Sequence, residues 1–295
     1  MRNNLEKLAL GTVQFGIAYG VTNKTGLPSV NEVDEIIKLA RSAGIKLLDT
    51  APSYGCAGKR LGCLGVSGMR VVSKVSINDL KAGNVDEHLD DQISTNLNDL
   101  KLSRLDAILV HDPVKLMSKK GCDVWKKLSG WKEDGLVKKI GYSVYDLTEL
   151  EALFVDFPPD VVQLPVSVAD RRFERSGWLH KLKEKNVETH VRSIFLQGLL
   201  LDDTFLPRIF EKTEFFECWK KWSYSKGASR LSLCLKYVLQ NPLIDKVLVG
   251  VQSKKQLMDI IDAASIPNEV EFPEELFIEQ SILLNPSNWT NFEER

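Results

Sequence analysis

The sequence predicts an α/β protein, a single-domain (β/α)8 barrel, on three observations. Short apolar runs of strand length alternate with helical periodicities about eight times along the chain. The intervals are too short for separate domains, which argues for parallel βαβ units closing on themselves. The competing doubly wound sheet usually carries a Gly-rich first turn, and GTVQFG after the first run lacks the GxGxxG spacing.

Residues 8–14 (LALGTVQ) read as strand one, closing at Gly16 and a loop containing Gly20. Residues 31–43 place Val33, Ile36, Ile37, Leu39 and Ala40 on one face, an amphipathic helix entered through Ser29 or Asn31 as cap. Strand two opens the stretch 46–55 (KLLDTAPSYG). Leu47 and Leu48 follow Gly44, and the run ends on a carboxylate, Asp49, before turning through Pro52-Ser53 to Tyr54. Residues 70–75 (RVVSKV) form strand three, followed by helical periodicity over 85–101. Strand four, 105–110 (LDAILV), runs straight into His111. A helix over 122–134 precedes strand five, 139–144 (KIGYSV), and a helix over 147–154 precedes strand six, 161–166 (VVQLPV). A helix over 173–185 leads to strand seven, 188–194 (ETHVRSI). An insert of helical pattern, 206–224, and a helix over 229–240 separate it from strand eight, 246–250 (KVLVG), which a helix over 253–263 follows. Residues 266–295, rich in prolines, acids and isolated aromatics, read as a terminal segment packing on the barrel, with Trp289 and Phe292 against its wall.

Composition narrows the function. With 43% hydrophobic and 27% charged residues the chain has an ordinary globular balance, and a net charge of -1 offers no electrostatic case for nucleic acid or an anionic membrane. No apolar run approaches the ~20 residues of a membrane span, and the start MRNNLEKLAL lacks a signal-peptide core. The five cysteines are scattered without a CxxC pair, which suits reduced thiols and a cytoplasmic protein. No metal site is expected, because His88, His180 and His190 stand outside any ligand spacing to His111-Asp112.

On the predicted barrel, polar residues collect at the carboxyl ends of consecutive strands: Asp49 and Tyr54, then Lys74, then His111. Each alone has a bland reading, a paired charge or a satisfied imidazole. Together they place a carboxylate, a phenol, an ammonium and an imidazole at one mouth. A phenol titrates near ~10 and is a poor acid until an adjacent ammonium lowers that value. The carboxylate keeps the ammonium charged, and the imidazole can orient a carbonyl oxygen. A lyase using Lys74 as a Schiff base is the rival chemistry, and it needs a desolvated lysine without Asp49 beside it.

These residues carry a resemblance to the aldo-keto reductases, (β/α)8 enzymes that reduce aldehydes and ketones with NADPH. The family's DxxxxYG segment stands here as Asp49 to Gly55, its lysine as Lys74 in SKV, and its histidine as His111 in LVHDP. The resemblance implies Tyr54 as general acid, Lys74 and Asp49 tuning it, and His111 orienting the carbonyl. It implies that Ser143 in GYSVY and Gln163 in VVQLPV hold the nicotinamide carboxamide, with Val144 where the family has Asn. In VRSIFLQGLLL, Arg192, followed by Ser193, replaces the aromatic residue that stacks beneath the nicotinamide; the guanidinium either stacks there or forms a strand-end ion pair. After strand eight, Gly250, Gln252, Ser253, Lys254 and Gln256 correspond to the segment that holds the cofactor's phosphates at a helix N-terminus. Gln256 and Ile260 replace the Arg and Asn usual there, so NADPH is expected with NADH possible. The implied partner is a small carbonyl substrate, possibly sugar-derived, with no nucleic acid and no membrane. The alternative within the family is an NADPH-holding, redox-sensing protein with little turnover.

Overall fold

Eight parallel strands close a barrel in chain order: β1 (Leu8–Gly11), β2 (Leu47–Asp49), β3 (Arg70–Val75), β4 (Leu105–Val110), β5 (Val137–Ser143), β6 (Val161–Pro165), β7 (Glu188–Arg192) and β8 (Lys246–Gly250). The computed structural model describes residues 4–23, 25–78, 80, 84–204, 206–266 and 269–289. Closure is made by β1 on β8, in the register Leu8↔Val247 through Gly11↔Gly250. The strands are buried on both faces, which is why they read as nearly continuous apolar runs.

Inside the barrel, Ala9, Leu47, Val72, Ala107, Leu109, Val161 and Leu248 form a plug of their own. Side chains alternate along a strand, so the residue two positions on faces the same way one layer higher. Leu47 is thus followed inward by Asp49, Val72 by Lys74, Leu109 by His111, Val161 by Gln163 and Leu248 by Gly250. The polar strand ends are the top layer of the barrel filling. At the other end, Arg70 pairs with Asp106 at 2.7 Å and Glu188 at 3.2 Å, and His190 meets Glu188 at 2.9 Å.

The helices sit outside: α1 (Val30–Ser42), α2 (Ala57–Leu64), α3 (Val85–Leu100), α4 (Gly121–Glu133), α5 (Leu147–Leu153), α6 (Trp178–Glu184), α7 (Phe215–Ser225), α8 (Arg230–Leu239) and α9 (Lys254–Ser265). Ser29 caps α1 by accepting from the Glu32 N–H, and Asp146 with Glu149 forms a capping box on α5. The sequence gives no sign of α2, whose eight residues include two glycines and barely complete an apolar stripe. The predicted helix over 173–185 is broken at Gly177, which takes φ +79°, into a single turn (Arg172–Arg175) and α6. Strand one ends at Gly11 rather than at residue 14, because Val13–Phe15 coil into a 3-10 turn. Strand seven ends at Arg192 because Ser193 adopts φ +60°.

The described part of the terminal segment packs on the barrel's flank. The Ile278 N–H donates to Ala169 O at 2.9 Å, and buried Trp289 meets the Phe210 ring at 5.3 Å. Phe292 lies outside the described residues. No helix among the described residues is long and apolar enough to cross a membrane.

Candidate active site

The deepest part of the site is an ion pair. Lys74 Nζ donates to Asp49 Oδ1 at 2.9 Å, to Asp49 Oδ2 at 2.7 Å and to Thr50 O at 3.1 Å, with both side chains almost fully buried. Burial drags the Lys74 ammonium toward neutrality, but the Asp49 carboxylate and then Tyr54 outweigh it, so its pKa ends above the ordinary lysine value. Gln163 Nε2 also donates to Asp49 Oδ1 at 2.8 Å, locking the carboxylate from β6.

Tyr54 reaches this pair through a tight turn, in which its N–H donates to Ala51 O and its own carbonyl accepts from Ala57 N–H. The loop after β1 clamps that turn at Gly16, where a Cβ would stand 1.6 Å from Tyr54 O. The Tyr54 ring centroid lies 5.0 Å from Lys74 Nζ, and the His111 ring meets it edge-on at 6.3 Å between centroids. Burial raises the phenol's pKa above its ordinary value, and the lowering by Lys74 is smaller because Asp49 opposes it. A net lowering is the expectation from an ammonium beside a phenol. Burial reverses the sign, because Lys74, offset by Asp49, presents the phenol with a nearly neutral pair that cannot outweigh the desolvation. The phenol therefore keeps its proton at neutral pH. His111, pulled down to about 4 by burial and then by Lys74, is a neutral imidazole there.

Asp49, Tyr54 and His111 open onto a cavity of about 630 Å³, and Lys74 stands behind them. Its wall continues past Ser143, Gln163, Arg192 and Ser193 to Gly250, Gln252, Gln256 and Ile260, at β8 and the start of α9. Ser143 Oγ faces Gln163 Oε1 at 3.4 Å. Arg192 lays its guanidinium over the Tyr145 ring at 3.8 Å and donates to Val144 O at 3.0 Å and Ser193 Oγ at 3.2 Å. It enters no ion pair among the described residues, so the strand-end ion-pair reading of Arg192 does not hold.

Two residues assigned to the cofactor point elsewhere. Ser253 Oγ caps α9 by accepting from Gln256 N–H at 3.2 Å. Lys254 Nζ pairs with Glu35 at 2.8 Å, and its N–H donates to Glu32 Oε1 at 2.6 Å. A carboxylate from α1 thus already sits on an α9 donor expected for a phosphate, a contact between helices far apart in the chain.

Sequence reasoning missed Gln14, Tyr19, Tyr145 and Gln197, all on the cavity wall. Tyr19, pushed up to about 12 by burial, accepts from Gln197 Nε2 at 3.3 Å. Gln197 and Leu196 take φ +53° and +46°, a conformation that the sequence of a non-glycine loop does not announce. Gln14 Oε1 is buried without a partner, and a Cβ on Gly250 would come within 2.6 Å of Gln14 Nε2. This unsatisfied carboxamide beside a bare backbone, in a cavity that runs from the ends of β2 and β4 to the start of α9, suits a dinucleotide with its own amide and phosphates. Cys56 Sγ faces the Phe15 and Gly16 carbonyls at 3.9 and 3.8 Å, outside the cavity wall.

Residues 7–275 match the model of the Aldo/keto reductase family. The chain is similar to the aldo-keto reductase YhdN of Bacillus subtilis, 24% identical over 287 residues that cover 87% of this chain and 82% of that protein. It is also similar to the glyoxal reductase of the same organism, 26% identical over 241 residues covering 79% and 83%. Among solved structures it resembles the holo form of the aldo-keto reductase AKR11C1 from Bacillus halodurans, with TM-score 0.71, 19% identity and 90% and 88% of the two chains covered. An aldo/keto reductase from Klebsiella pneumoniae in complex with NADP and acetate gives TM-score 0.65 and 17% identity, over 92% and 89%.

Proposed function

The chain belongs to the aldo/keto reductase family, and on that premise we propose that it reduces the carbonyl of a small aldehyde or ketone to an alcohol, with Tyr54 as proton donor and NADPH as cofactor. The observation that carries this reading is the meeting of Asp49, Lys74, Tyr54 and His111 at one cavity mouth. NADPH accords with the NADP held by the Klebsiella relative, and NADH remains compatible with the residues around α9.

When bound, the nicotinamide cofactor supplies the hydride. Tyr54 enters protonated and gives its proton to the carbonyl oxygen as charge develops there, a contribution of roughly 10²- to 10⁴-fold. Lys74 then faces the phenolate and stabilises it, which the neutral phenol does not require. Asp49 keeps Lys74 charged despite its burial. His111, uncharged, donates one hydrogen bond to the same oxygen without competing as an acid. Gln163 and Ser143 present amide and hydroxyl groups to the nicotinamide carboxamide, and Gln14 offers a further acceptor.

We also read residues 1–295 as one domain. The contacts of Ile278 and Trp289 with the barrel's flank support that reading. The five unpaired cysteines support a cytoplasmic location.

The test is Tyr54→Phe. NADPH binding, followed by fluorescence, should persist while turnover of an aldehyde panel is lost. Undiminished reduction would remove Tyr54 from the role of acid. A wild-type chain that binds NADPH and reduces none of the panel would favour the redox-sensing alternative.

A further inference from the structure

The charges that face the cavity do not cancel. Asp49 is matched by Lys74 at 2.7 Å, and Asp259, at the α9 end, by Lys255 at 3.2 Å. Arg192 is matched by nothing: among the described residues no carboxylate lies within ion-pair distance of its guanidinium. Its protein partners are two neutral oxygens, Val144 O and Ser193 Oγ, and one aromatic face, Tyr145. A partly buried guanidinium held by neutral groups alone retains its full charge and most of its appetite for an anion.

The fold also holds this group firmly. Arg192 is the last residue of β7, two positions beyond buried His190 and therefore on the same inward face. The left-handed Ser193 then turns the chain sharply away, with its hydroxyl serving Arg192. Such a backbone outlier beside a functional cavity is a cost that the surroundings must maintain. The same cavity wall carries Tyr19, Tyr145 and Gln197, which supply hydroxyl and amide groups and no negative charge. Arg192 lies near enough to the reacting groups for its charge to lower the titration of Tyr19, Tyr54 and His111.

Resting on the carbonyl-reductase reading, we infer that the substrate carries an anionic group, a carboxylate or a phosphate, and that Arg192 receives it while the carbonyl oxygen lies at Tyr54. A guanidinium presents a planar fork of donors suited to both anions. A neutral substrate would leave that charge with only the two neutral oxygens and the aromatic face it already has.

The experiment compares kcat/KM for matched carbonyl pairs at saturating NADPH: 4-oxobutanoate with butanal, and glyceraldehyde 3-phosphate with glyceraldehyde. The wild type should favour the charged member of at least one pair by roughly 10- to 100-fold, the range of a charge-assisted contact. The pair that discriminates identifies carboxylate or phosphate. Arg192→Gln should bring that ratio close to unity whatever loss both members share, and Arg192→Lys should keep part of it. Each variant should still bind NADPH, which fluorescence measures and which reports that it is folded. A wild-type preference for neither charged substrate, or a ratio that survives in Arg192→Gln, would overturn the inference. So would a loss located in NADPH affinity instead, since the guanidinium would then serve the cofactor. Failure of the reductase reading is separately visible, because charged and neutral carbonyls alike would go unreduced.

Discussion

Replacing Asp49 with Asn removes one charge from the buried pair and almost nothing of its shape. Lys74, 1% exposed, then keeps neutral acceptors and loses the one carboxylate it meets among the described residues. Breaking a buried pair from one side costs about 3–5 kcal/mol, so the urea midpoint of Asp49→Asn should fall well below the wild type at pH 7. The pH dependence is more diagnostic. In the wild type the Lys74 pKa lies above the ordinary lysine value, so the pair's stabilisation is fully present at pH 7 and 9 and is lost only as pH rises through that raised value. Without Asp49, burial is the dominant influence and drives the folded pKa of Lys74 below its unfolded value of about 10.4. The unfolded chain then binds the extra proton, so the variant gains stability as pH rises through that interval. Between pH 7 and 9 the gap to the wild type should narrow by up to about 2.7 kcal/mol, one proton over two pH units. The double variant Asp49→Leu with Lys74→Met should recover much of the stability at both pH values, since two apolar residues of similar volume leave no charge behind. It should still lack turnover. A single variant as stable as the wild type at pH 7, or a gap that widens with pH, would refute the burial of this pair.

Gly16→Ala should cost roughly 100-fold in turnover, because the new Cβ would stand 1.6 Å from Tyr54 O and must displace the acid; kcat beside NADPH binding checks it. With His111 pulled down to about 4, its ring stays neutral across the working range, so kcat/KM should carry no step from it between pH 5.5 and 8. A break near 6.5 that disappears in His111→Gln would contradict its burial. The unfolded imidazole takes its proton first, so this residue withdraws stability as pH falls from about 6.5 towards 4.

The barrel and its mouth were legible because their signs are local. An apolar run of strand length, a helical repeat and a cap such as Ser29 depend on residues a few positions apart. The same strand period carried the site: Asp49, Lys74 and His111 each extend an inward-facing column, so their meeting follows from closing the sheet. The helices within 206–224 and 173–185 are shorter than their patterns predict, since a periodic pattern does not reveal a left-handed Gly177 or a short 3-10 turn. Helix α2 escaped because eight residues with two glycines barely form a stripe.

By itself the sequence determined the order of strands and helices, the layer of polar strand ends, and the chemical types that line it. Only the tertiary structure decided how those groups are partnered. It set Lys254 on Glu35 and Glu32 on the α9 terminus, let burial outweigh the ammonium at Tyr54, and left Arg192 without a carboxylate among the described residues. The periodicities arise from backbone geometry that each short segment carries alone. Electrostatic partnership and desolvation arise from distances between segments far apart in the chain, and those exist only once the barrel has closed.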